Sequence, residues 1–103
     1  MNRIFAGLLS FIAVVALTNA ATADAANGEK LAKRWCATCH VVASDQKRAS
    51  TQAPPFSTIA KKRGFDAAKL ALYLLLPHPK MPDMSLSRSE AADLAVYIAR
   101  QGK

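Results

Sequence analysis

The chain opens on a block of apolar residues that follows neither a helical nor a strand period. Met1-Asn2-Arg3 carries one positive charge, and IFAGLLSFIAVVAL then stays apolar from Ile4 to Leu17 except for Ser10 and the small Gly7. A run of small residues, TNAATADAA, follows. The apolar run is shorter than the ~20 residues a membrane-spanning helix needs. A positive start, a short apolar run and a stretch of small residues are together the layout of a secretory signal peptide. Cleavage within Ala21-Thr22-Ala23 leaves a polar start, DAANGEKL, so the expected division is a cleaved leader, 1–23, and one domain, 24–103. Thr18-Asn19-Ala20 and Ala23-Asp24-Ala25 are alternative sites. No membrane span is expected after cleavage, and export places the domain in the periplasm.

Beyond the leader the pattern becomes helical and interrupted. Asn27 to Arg34 reads as a short helix capped by Asp24 or Asn27, with Leu31 and Trp35 on one face. After His40 the chain turns polar and aperiodic, SDQKRASTQ, and Pro54-Pro55 excludes helix and sheet pairing there. That is a long loop for so small a domain, and loops of this kind usually have a function. Phe56 to Lys62 reads as a turn or short helix ended by Gly64. Asp66 caps the next helix, AAKLALYLLL, which is expected to run to Leu76 and stop at Pro77. Leu70, Tyr73, Leu74 and Pro77 form one apolar stripe, and Leu72, Leu75 and Leu76 make the other side apolar too. Such a helix is buried or faces a large apolar partner. PHPKMPDMSL is extended by its prolines. Ser87 to Glu90 is a capping box that opens the last helix, whose inward stripe is Ala91, Leu94, Ala95 and Ile98 and which Gly102 closes. With no strand pattern and no repeat, the fold class is all-α, short helices joined by long loops.

Composition adds two constraints. The charge is +7, from 14 Lys and Arg against 7 Asp and Glu. Lys30, Lys33 and Arg34 precede the cysteines, Lys47 and Arg48 follow them, and Lys61-Lys62-Arg63 form a run. Such a balance steers the protein towards acidic surfaces, while export and the absence of a nucleic-acid motif argue against nucleic acid. The domain is also near the size at which a hydrophobic core alone is marginal, so something further is expected in its centre.

The two cysteines lie in WCATCH, Trp35 to His40. A disulfide across so tight a loop would close almost no chain and stabilise little. A thioredoxin-like pair wants a strand in a βαβ context, which is missing. Zinc needs four ligands, and beyond Cys36, Cys39 and His40 only His78 and scattered carboxylates remain. Covalent haem needs what is present: two thiols to add across the two vinyl groups, spaced so that one turn reaches both, and an imidazole next in the chain to bind the iron. The expected cofactor is one covalent haem c, which also supplies the missing core mass.

With NGEKLAKRWCATCH, APPF, HPKMPDMSLS and EAADLAVYI in hand, nearly the whole of 24–103 resembles the small bacterial class I c-type cytochromes. The resemblance implies an all-α wrap around the haem in which the first and last helices cross, with Gly28 at the close approach and Leu94 and Tyr97 as its partners. The family usually carries an aromatic residue four positions before the first cysteine; here Ala32 stands there, and Trp35 precedes Cys36. The resemblance implies Cys36 and Cys39 as the haem-bearing thiols and His40 as one iron ligand, with its other ring nitrogen held by the carbonyl of Pro54. Pro55 is the near alternative. For the iron's other side the candidates are Met81, held extended by Pro82 and matching the family's axial methionine, then Met84 and His78, or an open position. The plain readings of the last two residues are a gap-filling methionine and a solvated loop histidine. Phe56, Ile59, Leu70, Leu74 and Leu86 are expected to line the haem. The function implied is one-electron transfer between donor and acceptor proteins with acidic docking surfaces, and not enzymatic catalysis. Two alternatives stand: a haem enzyme or gas-binding protein with an open sixth position, and the fixed cytochrome subunit of a larger oxidoreductase.

Overall fold

The computed structural model describes residues 22–49 and 53–103, so the expected leader lies almost wholly outside the described residues. Four helices follow in order: α1 (Ala25–Trp35), α2 (Phe56–Ala60), α3 (Ala67–Leu75) and α4 (Arg88–Arg100). Among the described residues there is no strand, as the all-α expectation required.

Local chemistry sets the helix ends. The Asp24 side chain accepts from the backbone N–H groups of Ala26 and Asn27, so α1 starts at Ala25, two residues earlier than expected. Asn27 is inside the helix and its amide instead donates to Asp93 on α4, 2.9 Å away. Lys33 and Arg34 occupy the last turn of α1, where cations offset the negative end of the helix dipole. Asp66 caps α3 by accepting from Ala68 and Lys69. That helix ends at Leu75 rather than Leu76, because a residue before proline is pushed out of the helical region; Leu76 is extended, at φ −93° and ψ 148°. The box at α4 is complete: Ser87 accepts from the Glu90 N–H, and the Glu90 carboxylate accepts from the Ser87 N–H.

α4 is the central element, and α1, α2 and α3 each pack on it. A side chain at Gly28 would fall on the Asp93 carbonyl and 2.8 Å from the Cβ of Tyr97. The crossing of α1 and α4 therefore needs glycine there, as the resemblance implied. Leu31, Ala32, Cys36, Val42, Phe56, Leu94, Tyr97 and Ile98 form the buried core. Ala32 is fully buried, so no room is left for the aromatic residue usual at that position. Trp35 does not take its place: it is 43% exposed, with the Arg34 guanidinium 4.8 Å over its ring. No residue of α3 is buried; Leu70 and Leu74 pack against the core from its edge.

Candidate functional site

The cysteines sit where α1 unwinds. Cys36 is the C-cap, its N–H bonded to the Ala32 carbonyl at 2.9 Å. The chain then coils tightly over its own cap: the N–H groups of Cys39 and His40 both donate to the Cys36 carbonyl, at 3.1 and 2.8 Å. These are backbone bonds, so the motif can follow a helix end directly. No disulfide joins Cys36 and Cys39. Cys36 is buried and Cys39 half-buried. Burial, followed by the neighbouring Cys39, pushes the Cys36 thiol up to about 11, so it rests as a thiol at neutral pH.

The His40 ring is held by the residue expected to hold it. Its Nδ1 lies 2.7 Å from the Pro54 carbonyl oxygen. A carbonyl can only accept, so Nδ1 carries the proton and Nε2 is left with its lone pair. Pro55 is not the partner; it is the N-cap of α2 instead. The Phe56 ring lies 5.4 Å from the imidazole, centroid to centroid, and the Phe56 N–H donates to the Val41 carbonyl at 2.9 Å. One residue on, the buried Tyr97 hydroxyl donates to the Val42 carbonyl at 2.6 Å. The loop thus brings Cys36, Cys39, His40, Pro54 and Phe56 together, and Ile59 packs against the same core. Among the described residues no three His, Cys, Asp or Glu side chains are grouped to hold a metal ion, so the zinc reading gains nothing.

The other candidates come from α3 and the segment after it. Leu70, Leu74 and Leu86 are half-buried against the core. Leu86 also lines an open groove with Ala71, Leu72 and Leu75. Met81 and Met84 are both half-buried. His78 departs from the solvated loop residue expected of it. Its ring stands edge-on to Tyr73 at 3.8 Å between centroids, and its Nε2 is shielded from solvent without a hydrogen-bond partner. Two residues that hydrogen-bond to this loop were not expected to do so. Tyr97 was expected only at the helix crossing, and Gln46 lies in a stretch that reads simply as polar loop.

Two thiols at this spacing, next to an imidazole whose free nitrogen is Nε2, are a donor set that fits covalent haem. Over 93 residues the chain is 50% identical to cytochrome c-552 of Bradyrhizobium diazoefficiens, an alignment covering 89% of each protein. No protein-family model and no solved structure matches it.

Proposed function

The chain belongs to the small class I c-type cytochromes, haem c proteins that transfer electrons, and from that premise we propose which of its residues hold the group. Cys36 and Cys39 form the two thioethers. His40 would bind the iron through Nε2, and the Met81 thioether would supply the second ligand from the protein. Phe56, Ile59, Leu70, Leu74 and Leu86 supply the apolar lining. The observation that carries this reading is the His40 Nδ1 bond to Pro54, which selects the tautomer that leaves Nε2 for a metal.

When bound, haem supplies an iron that alternates between ferric and ferrous. The chain's part is to tune and shield it. A soft methionine sulfur favours the ferrous state, and an apolar lining disfavours the extra charge of the ferric one. Keeping His40 and Met81 bound in both oxidation states limits the atoms that must move. Partner choice falls to the basic surface. Lys47, Arg48, Lys61, Lys62 and Arg63 are exposed and suit donor and acceptor proteins with acidic docking surfaces. We place the protein in the periplasm after cleavage following Ala23. Among the described residues no helix is long and apolar enough to cross a membrane.

One observation favours a second reading of the sixth ligand: the shielded, unpartnered Nε2 of His78 is an imidazole nitrogen with nothing else to bind. Visible spectra of the haem-loaded protein decide. Met81→Ala is expected to lose the low-spin ferric spectrum and to gain carbon monoxide binding in the ferrous form, while Met84→Ala and His78→Ala keep the wild-type spectra. If either of those two variants opens the iron instead, the ligand assignment moves to it. A wild-type ferrous spectrum that shifts with carbon monoxide overturns the carrier reading in favour of an open-iron enzyme or sensor.

A further inference from the structure

The half-buried side chain of Gln46 ties together the loop that bears the thiols and the imidazole. Its Oε1 accepts from the Val42 N–H at 2.9 Å. Its Nε2 donates to the Ala37 carbonyl, between the two cysteines, and to the His40 carbonyl, both at 2.9 Å. A longer contact of 3.2 Å reaches the Arg48 carbonyl. Partners of both kinds fix the amide's orientation, because carbonyls can face only the nitrogen and an N–H only the oxygen.

These bonds bear on His40 directly. The residue is held at three points: its N–H by the Cys36 carbonyl, its ring by the Pro54 carbonyl, and its own carbonyl by Gln46. The first comes from within the motif and the second acts on the ring. Gln46 alone of the three grips the His40 backbone from outside the motif while also gripping the turn between the cysteines. Without it, the carbonyls of Ala37 and His40 lose a donor, and the peptide planes on either side of the imidazole can rotate.

We propose that Gln46 is a positioning residue for His40: its amide sets the backbone from which the imidazole is presented, and so sets the ring plane at the iron. This rests on the functional reading above, with His40 as an iron ligand.

The test uses the haem-loaded protein and the variants Gln46→Ala, Gln46→Glu and, as a stability control in the core of α4, Ile98→Val. Three quantities are read: covalent haem per chain, the spread of the haem-methyl proton resonances in the ferric form, which reports axial-ring orientation, and the ferric–ferrous equilibrium. Glutamate has the size of glutamine but, when ionised, cannot donate to the two carbonyls. Both Gln46 variants are expected to move the methyl resonances and to change the ferric–ferrous equilibrium constant by about threefold or more, with Ile98→Val at wild type. If either Gln46 variant fails to mature, a fall in covalent haem per chain that Ile98→Val does not share is the expected result. Wild-type values in both Gln46 variants overturn the proposal. So does Gln46→Glu behaving as wild type while Gln46→Ala does not, since the role is then packing. A wild-type chain that takes up no haem overturns the functional reading, and the assignment with it.

Discussion

The two sides of the site are built differently. On the thiol side, backbone and side chains leave little freedom: the carbonyls of Cys36, Ala37, His40, Val41 and Val42 each accept a hydrogen bond from a protein donor, and Val42 and Phe56 are buried beneath them. On the methionine side, no residue of α3 is fully buried, and the stretch from Pro77 to Ser87 meets the core only through the half-buried Leu86, with local bonds such as Ser85 N–H to Asp83 at 2.8 Å. One half of the pocket is preorganised by the polypeptide. The other holds the residues proposed as lining, Leu70, Leu74 and Leu86, and the two candidate thioethers of Met81 and Met84, all half-buried. The difference matches the chemistry. The thiols and imidazole must meet defined atoms of the cofactor, which demands geometry, whereas a lining only has to be apolar and a thioether ligand is flexible.

The comparison predicts where damage is largest. Leu94 is wholly buried under the rigid half, and Leu94→Ala is expected to cost about 2–5 kcal/mol in denaturant unfolding of the loaded protein. Gly28→Ala comes next, at about 1–3 kcal/mol or more. Its added methyl meets the Asp93 carbonyl and the Tyr97 Cβ, and backbone cannot step aside as a flexible side chain can. A Gly28→Ala protein as stable as wild type would mean that α1 and α4 can separate, and that the preorganised half is looser than its hydrogen bonds imply.

Tyr97→Phe probes the same half through one atom. It strands the buried Val42 carbonyl at about 1–3 kcal/mol, and it carries a pH signature. Burial, then Glu29, raises the Tyr97 phenol above its usual value. A group whose folded value is raised stabilises the fold fully below its unfolded pKa of ~10 and loses that contribution as pH rises through the folded value. Stability measured from pH 8 to 12 is therefore expected to fall through that alkaline window in the wild type, and Tyr97→Phe is expected to lack the tyrosine part of the fall. Equal alkaline slopes in both proteins would mean that burial does not raise the Tyr97 phenol.

The same division decides how much could be read from sequence. Cys36, Cys39 and His40 could be singled out because the residues that suggest their chemistry are contiguous. The caps Asp66, Ser87 and Glu90 were legible because a cap acts within three residues of itself. Asp24 and Asn27 were both candidates for the α1 cap, and the choice rests on Asp93, which lies 66 positions beyond Asn27 and accepts from the Asp24 N–H as well. Gln46 was illegible for the same reason: its partners depend on how a loop without period folds back on the turn. Trp35 shows the limit of periodicity. Four residues after Leu31, it belongs to the same face by count, yet α1 ends there and the ring turns out against Arg34. Between Met81 and Met84 the burial is alike, and the choice still rests on Pro82 and on family likeness.

The smallest expected effect tests the open half. Leu72 is 61% exposed on α3, and lies on the far side of the helix from Leu70 and Leu74, which touch the core. Leu72→Ser should therefore change the unfolding free energy of the loaded protein by no more than about 0.5 kcal/mol and leave its visible spectrum untouched. Leu74→Ser, one turn beyond Leu70 on the core side, should cost clearly more and is the internal control. If Leu72→Ser costs as much as Leu74→Ser, the outer face of α3 is covered in the loaded protein. The apolar surface that separates the two halves here would then be part of a closed core, and the contrast between a preorganised side and an adaptable one would fail.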